Sequence, residues 1–400
     1  MSTMTDNVLP PPTERYSVLR WLKKNLFNDV LSSLVSIGML VLIYLTAKGI
    51  LHWALTEARW EAILINLRLF MVGQYPVAEM TRVWVCLLGV GLLIGLSWGI
   101  WIGGLGLESL VMFGFPFALA LLPFDLTTRL WWTGMGVCAL IGLGLGWKFA
   151  AKLGKVTLAG WMLFFPAVIV ILRGLAPEGQ PFGLISTNLW GGLLLTFLLS
   201  WVSAILSFPM GVLLAIGRQS KFPAVRSFCI MYIELIRAVP LITVLFMAQV
   251  LLPLFLPAGM TVDRIVRAMA GITLFTAAYM AEIVRGGLQA IPKGQGEAAS
   301  ALGMSETQKM TLIILPQALR SVIPVIIDQY IGMFRDTTLV LIVGLFDLLG
   351  ISRAILAQPE TQGAHIEVYV FVAVIYWVFS YLMSYIGLRL EVRSGAHARR

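Results

Sequence analysis

About ten runs of roughly 20 predominantly apolar residues follow one another along this chain, each long enough, at 1.5 Å rise per residue, to cross a bilayer core about 30 Å thick. They fall near residues 31–51, 83–103, 106–123, 130–150, 156–173, 189–217, 226–252, 265–288, 320–346 and 366–388. Within hydrocarbon, only helices and closed barrels satisfy every backbone group, and continuous apolar runs read as helices. The expected fold class is therefore all-α: a polytopic integral membrane protein of about ten transmembrane helices, or as few as about eight because closely spaced runs such as the second and third also read as a broken pair. With 59% hydrophobic and only 12% charged residues, the chain lies outside the soluble globular class.

The net charge of +9 serves orientation. Arg15, Arg20, Lys23 and Lys24, then Lys148, Lys152 and Lys155, Arg218, Lys221 and Arg226, Arg285, Lys293, Lys309 and Arg320, and finally Arg389, Arg393, Arg399 and Arg400 outnumber Arg59, Arg68, Arg82, Arg129, Arg173, Arg264, Arg267 and Arg353 in the alternate loops. Basic residues accumulate on the cytoplasmic side, so both termini are expected there. The same charges in a soluble protein would suggest nucleic acid; here no nucleic-acid partner is expected. Cys86, Cys138 and Cys229 lie in or beside apolar runs without metal-ligand spacing, and neither a disulfide nor a metal site is predicted. The first run follows Pro10, Pro11 and Pro12 and the first basic group, has no small-residue cleavage pattern after it, and reads as a retained span.

The chain divides at the Pro- and Gly-containing stretch from Arg173 to Asn188. Before it, the spans are nearly free of ionisable groups, and Gly91, Gly95, Gly99 and Gly103 recur every fourth residue, a stripe that lets another helix approach closely. After it, Glu234, Arg237, Glu282, Asp328, Arg335 and Asp336 fall within or at the ends of spans, where a charge needs a partner or an aqueous path. Glu234 with Arg237 and Glu282 with Arg285 are spaced three apart and predict local ion pairs at helix ends. Glu282, beside Tyr279, is also a candidate path residue. Pro240 interrupts its own span and frees a carbonyl, marking a kink or a cavity.

Between two of these runs lies "GEAASALGMSETQKMTLIILPQALR", Gly296 to Arg320, too polar for a comfortable span. Its physics predicts a short surface helix from Glu297 through Ala298 and Ala299, broken at Gly303, with Leu312 to Leu315 leading through Pro316 into the next span. Glu297, Ala298, Ala299, Gly303, Ile313, Leu315 and Pro316 stand at the spacing of the EAA signature, and here the chain resembles the permeases of ABC importers. The stretches Thr276–Gly303, "ELIRAVPLITVLF", "GGLLLTF" and "FRDTTLV" resemble the polar amino-acid branch of that family, and the added N-terminal spans are similar to the M-type permease of general L-amino-acid transport systems.

That resemblance implies an organisation: a cytoplasmic segment over 1–30, accessory helices over 31–180, a five-helix permease core over 185–390 with its coupling segment at 290–318, and a cytoplasmic tail over 391–400. It implies a bacterial inner-membrane location and three kinds of partner: a second homologous permease or a second copy, a cytoplasmic ATPase dimer that receives the coupling segment, and a periplasmic amino-acid-binding protein. ATP and Mg would be used by the ATPase, since no G-x-x-x-x-G-K-[ST] occurs here and no cofactor is expected on this chain. No catalytic residue is expected.

For the cargo, Asp328 and Arg335 lie seven apart on one helical face and offer an acceptor and a donor to an amino-acid zwitterion, with Asp336, Thr337 and Thr338 beside them. The family pattern usually has Asn where Asp328 stands and "KDT" where this chain has "RDT". A proton-coupled secondary transporter would also explain intramembrane acids, but such proteins usually carry paired repeats, and these charges occupy one half. A membrane hydrolase finds no H-E-x-x-H and no arguable Ser/His/Asp set.

Overall fold

The computed structural model describes residues 18–394 except Leu105, Pro123, Glu178, Gly179, Pro181 and Ala258. Pro10 to Pro12 and Arg15, with part of the expected segment 1–30, and Arg399 and Arg400, with part of the expected tail 391–400, lie outside them. Backbone contacts divide the chain into two compact units, Met1–Trp60 and Glu61–Arg400. In the first, α1 (Val18–Asn25) precedes α2 (Val30–His52), which continues through a π-helical turn to Glu57. Asp29 begins α2 by accepting the Ser32 N–H at 2.7 Å, replacing an orphan helix donor's missing partner. No residue of α2 is buried, and its apolar side chains are distributed all round the helix.

The second unit opens with α3 (Glu61–Val72), α4 (Met80–Ser97), α5 (Leu107–Ala120), α6 (Leu126–Lys148) and α7 (Ala150–Arg173). The tightest pairing among these is α4 against α6. A Cβ at Gly91 would come 2.8 Å from the Met135 carbonyl oxygen, and one at Gly99 2.6 Å from that of Leu143. A Cβ at Gly95 would overlap the Ala139 carbonyl oxygen. The facing helix answers with its own small residues: Gly142 meets the Leu92 carbonyl and Gly146 that of Leu96. Gly103 differs from the other three glycines of the predicted stripe. At φ 68° it ends the helix in a left-handed conformation, with open space where a side chain would go.

Next come α8 (Gly192–Gly217), α9 (Pro223–Ala238), α10 (Leu241–Phe246), α11 (Leu252–Phe255) and α12 (Arg264–Gln289). They lead to α13 (Lys293–Ala301), α14 (Glu306–Gln308), α15 (Leu315–Asp336), α16 (Leu348–Leu356) and α17 (His365–Ser394). Here α12 is central, packed on α8, α15 and α9. Gly211 on α8 lets the Met280 side chain approach, and Gly287 admits the Ala318 carbonyl of α15. The largest core cluster joins the two stretches of sequence: Tyr75 and Leu172 pack with Leu195, Leu199, Leu245 and Ile272, and the Tyr75 hydroxyl donates to the Leu172 carbonyl at 2.9 Å.

Length and composition alone do not reach the expected count of about ten spans. Among the described residues seven helices are long and apolar enough to cross a membrane, or eight if a bent pair is counted as one span. The run at 106–123 yields only the 14 residues of α5, a rise of about 21 Å and less than the bilayer core needs. The run at 226–252 is that bent pair, α9 and the α10–α11 segment meeting at 107°. Pro240, with no N–H to continue α9, starts the new direction as the residue before α10. The run at 265–288 becomes the 26-residue α12, which is long enough but carries Arg264, Arg267, Glu282 and Arg285. Buried among other helices, it needs no lipid-facing apolar surface.

Candidate coupling segment and charged path

Helix α13 ends in a closed turn. The Gly303 N–H donates to the Ser300 carbonyl at 3.0 Å and the Met304 N–H to the Ala299 carbonyl at 3.2 Å, while Gly303 itself sits at φ 74°. That pair of bonds around a left-handed residue satisfies carbonyls a helix end leaves open, and it places glycine where a Cβ is disfavoured. Two residues on, Ser305 and Gln308 cap each other's backbone N–H groups at 3.3 and 2.9 Å, so the chain re-enters helix at once. A π-helical turn over Lys309–Ile314 carries it into α15, where Pro316 occupies the first turn. Proline there has no N–H to give back to Leu312, and the widened turn is where the ladder absorbs that loss. Side chains fasten the two arms: Lys309 Nζ to Ser300 Oγ at 3.3 Å, Gln317 Nε2 to Gln295 Oε1 at 3.3 Å.

The signature residues do not all face one way. Glu297, Ala298 and Gly303 are exposed, but Ala299 is buried, so its small side chain serves internal packing and not docking. Between them Leu302 stands 81% exposed, a large apolar residue that the spacing argument passed over. Ile313 and Leu315 are half-buried; Leu315, with Ile314, packs on a core of Met280, Val284, Leu288 and Ala318, which ties the segment to α12. Pro316 is exposed.

A group of charges gathers where α8, α9 and α12 meet. Glu282 accepts from Arg285 Nε at 2.9 Å and from its Nη2, and lies 3.5 Å from Arg218 Nη1 and 3.6 Å from Arg237 Nη1. The expected pairing of Glu234 with Arg237 is replaced: Glu234 pairs with Arg218 at 3.0 Å, and Arg237 turns to Glu282 while lying 5.5 Å over the Tyr279 ring. Arg218, just past α8, was the competitor that spacing along α9 alone does not reveal. Three guanidinium groups against two carboxylates leave the group one positive charge over, all of it half-buried except the exposed Glu234. An acid so surrounded ties three helices together: Oε1 takes both hydrogen bonds from Arg285, while Oε2 lies at ion-pair distance from Arg218 and Arg237 without a hydrogen bond.

On α15, Asp328 and Arg335 are both exposed and no ion pair joins them among the described residues; Arg335 Nε reaches Ser380 Oγ at 3.4 Å. Asp336 is half-buried. Thr337 is fully buried and donates its hydroxyl to the Phe334 carbonyl, so it is withdrawn from any cargo path. Nor does the structure bring Asp328 or Arg335 to the arginine group around Glu282.

Sequence reading missed Asp347. It is fully buried, accepts the Gly350 N–H at 2.8 Å as the cap of α16, and receives the Tyr376 hydroxyl of α17 at 3.0 Å. Its backbone also bridges to Gly192 at the start of α8. Burial pushes its carboxyl up to about 6, against the lowering effect of the two bonds it accepts. The signal was there: an Asp directly before an apolar helical run is an N-cap pattern, shared here by Asp29, Asp125 and Asp263. Among the described residues, no group of three or more His, Cys, Asp or Glu side chains is placed to hold a metal ion.

Residues 207–393 match the family model described as the binding-protein-dependent transport system inner membrane component. The inner membrane amino-acid ABC transporter permease protein YhdY of Escherichia coli is 37% identical over 379 residues, covering 93% of this chain and 92% of that protein. The glutamate/glutamine/aspartate/asparagine transport system permease protein BztC of Rhodobacter capsulatus is 35% identical over 428 residues, covering 96% of this chain and 95% of that protein. A shorter relative, the probable glutamine ABC transporter permease protein GlnP of Bacillus subtilis, is 34% identical over 205 residues, which are 51% of this chain but 93% of its own.

Proposed function

The chain belongs to the amino-acid ABC transporter permeases, a multi-pass inner-membrane subunit of an importer, and from that premise we propose that α13 is the element through which a separate ATPase drives it. The observation that carries this reading is the exposed tip of the segment, with Leu302 at 81% exposure beside Glu297 and Ala298 and closed behind by Gly303. An apolar knob on a short, capped helix is what a groove on another protein can grip. In this reading ATP and Mg are bound and hydrolysed by that partner, both termini of the chain are cytoplasmic with α13, and a periplasmic binding protein delivers L-amino acids at the other face.

The permease pairs with a second homologous subunit or a second copy. Residues 31–180 are accessory to the 185–390 core, a division supported by the short relative that matches only half of this chain. Cargo passes along α15, with Asp328 and Arg335 as the groups of opposite charge that remain exposed, Asp336 beside them, and the arginine group at Glu282 near the exit.

The test is capture of the ATPase. Leu302→Asp, a change at an exposed position, is expected to abolish co-purification with the ATPase in mild detergent while leaving the chain inserted. Full capture and full uptake in that variant would overturn the assignment of α13.

A further inference from the structure

We propose that the cleft between the end of α7 and the start of α12 is a docking point for a carboxylate of the extracytoplasmic binding protein, with Arg173 as its anchor. The proposal rests on the importer reading and orientation above. The cleft has a volume of about 330 Å³ and is lined by Arg173, Ser186, Thr187, Asn188, Asp263 and Arg264 among others. Two of its three charges are already engaged. Asp263 accepts the Ile265 N–H and the Thr187 hydroxyl, and Arg264 Nη2 donates to the Val343 and Gly344 carbonyls at 3.1 Å. Arg173 is exposed, and its guanidinium has no hydrogen-bond or ion-pair partner among the described residues.

The described residues beside this cation are held by contacts from α4 and from the end of α7. Arg82 of α4, only 6% exposed, donates to the Gly183 carbonyl at 2.9 Å, pairs with Glu79 at 2.8 Å and lies 4.8 Å over the Phe182 ring. It holds Phe182 at φ 65°, the one non-glycine residue with a positive φ among those described. A bulky residue persists there only when its neighbours over-determine the backbone. Leu184 N–H then bonds the Ala176 carbonyl at 2.8 Å, and Ile185 N–H bonds the Arg173 carbonyl itself at 2.7 Å. Residues 182–185 are thereby tied to the end of α7, and Leu184, an exposed apolar side chain, lines the cleft together with the cation.

A guanidinium without a partner among the described residues, set beside an exposed leucine, is of the composition found at protein-docking centres, where arginine is enriched and apolar contacts exclude water. A free amino acid fits less well, because its ammonium group needs an uncommitted carboxylate and Asp263 is engaged. The location suits a delivery protein too: α12 leads from this cleft to the coupling segment over 26 residues, a rise of about 39 Å. Both Arg173 and the loop precede residue 207, where the match to the family model begins. The anchor is therefore supplied by the stretch that scaffold packing alone would leave without a task.

The experiment uses the full complex in proteoliposomes, following ATP hydrolysis as loaded binding protein is titrated. For Arg173→Glu, the half-stimulating concentration is expected to rise roughly tenfold or more while the maximal rate is recovered at saturation, and Arg173→Gln should weaken docking less but flatten its salt dependence. Native stimulation with an unchanged half-stimulating concentration in Arg173→Glu overturns the proposal alone. So does a lowered maximal rate at unchanged half-saturation, or labelled free amino acid retained by the native complex and not by Arg173→Gln when no binding protein is present. If the native complex is not stimulated by any binding protein, the importer partnership falls and this proposal with it.

Discussion

Helices α4 and α6 are held together by what they lack, and helices α8, α9 and α12 by what they carry. Along the first contact, Gly91, Gly95 and Gly99 face Gly142, Gly146 and Ala139, and carbonyl oxygens of one helix touch the backbone of the other. At the second, three arginines and two glutamates from three segments close on one another. In a bilayer, apolar surface gains little by leaving lipid, so close packing and polar contact are the two remaining ways to bind helices. The first gives a contact with one permitted geometry. The second gives a contact whose strength depends on every member being present.

The largest effect should come from the glycine contact. Gly95→Leu places a branched side chain where even a Cβ overlaps the Ala139 carbonyl oxygen. Overpacking of this kind costs about 3 kcal/mol or more, because both neighbours are backbone and cannot turn aside. Thermal unfolding in detergent is expected to show a large drop, whereas Gly103→Leu, with open space around it, should lose only what a left-handed backbone costs, about 1–2 kcal/mol. Equal losses at the two positions would break the contrast.

The ionic contact should give less and show a different signature. Glu282→Gln leaves three guanidinium groups with one carboxylate, an expected loss of about 2 kcal/mol for groups that remain partly hydrated. Adding Arg285→Gln to that variant should recover part of the loss, since Arg285 is bonded to Glu282 and the second change removes an uncompensated charge. Strict additivity of the two would show that the group is a set of independent pairs.

The smallest effect is a change of slope at Asp347. Its carboxyl is pushed up to about 6 from an ordinary 3.8, so the folded chain binds the proton more tightly than the unfolded chain does. The contribution of this one group to stability is therefore greatest below about pH 4, falls as pH rises toward 6, and is flat above that. Asp347→Asn keeps a capping oxygen for Gly350 and should lose that slope while differing little in acid. An unchanged slope in the variant would place the titration elsewhere.

These contacts also mark what the sequence makes legible. Glycines four apart reveal that a close helix contact exists, because the period belongs to one helix; the partner stripe at Gly142 and Gly146 follows only when α6 is laid against it. The end of α13 at Gly303 and the break at Pro240 are equally local, each set by one residue's backbone. The ion pairs are not local. Spacing of three predicts Glu282 with Arg285 correctly and Glu234 with Arg237 wrongly, because Arg218 arrives from another helix and spacing rules carry no term for it. Burial of Ala299 and Thr337 is hidden for the same reason, since a motif fixes order along the chain and says nothing of which side is covered. The short α5 is hidden too: apolar composition continues past Ala120, but the helix does not.

The π-helical turn at Lys309–Ile314 joins α14 to α15 without interruption, so the stretch from Glu306 to Val343 runs as 38 helical residues. At about 1.5 Å per residue it follows a path of roughly 57 Å, with its foot tied to α13 through Lys309 and Gln317. Leverage follows from length alone. A tilt of about 5° at such a foot carries the far end sideways by about 5 Å, close to one full helical turn. In the coupling reading proposed above, a small tilt imposed through α13 is thereby geared into a displacement of several ångströms at the far end of this helix.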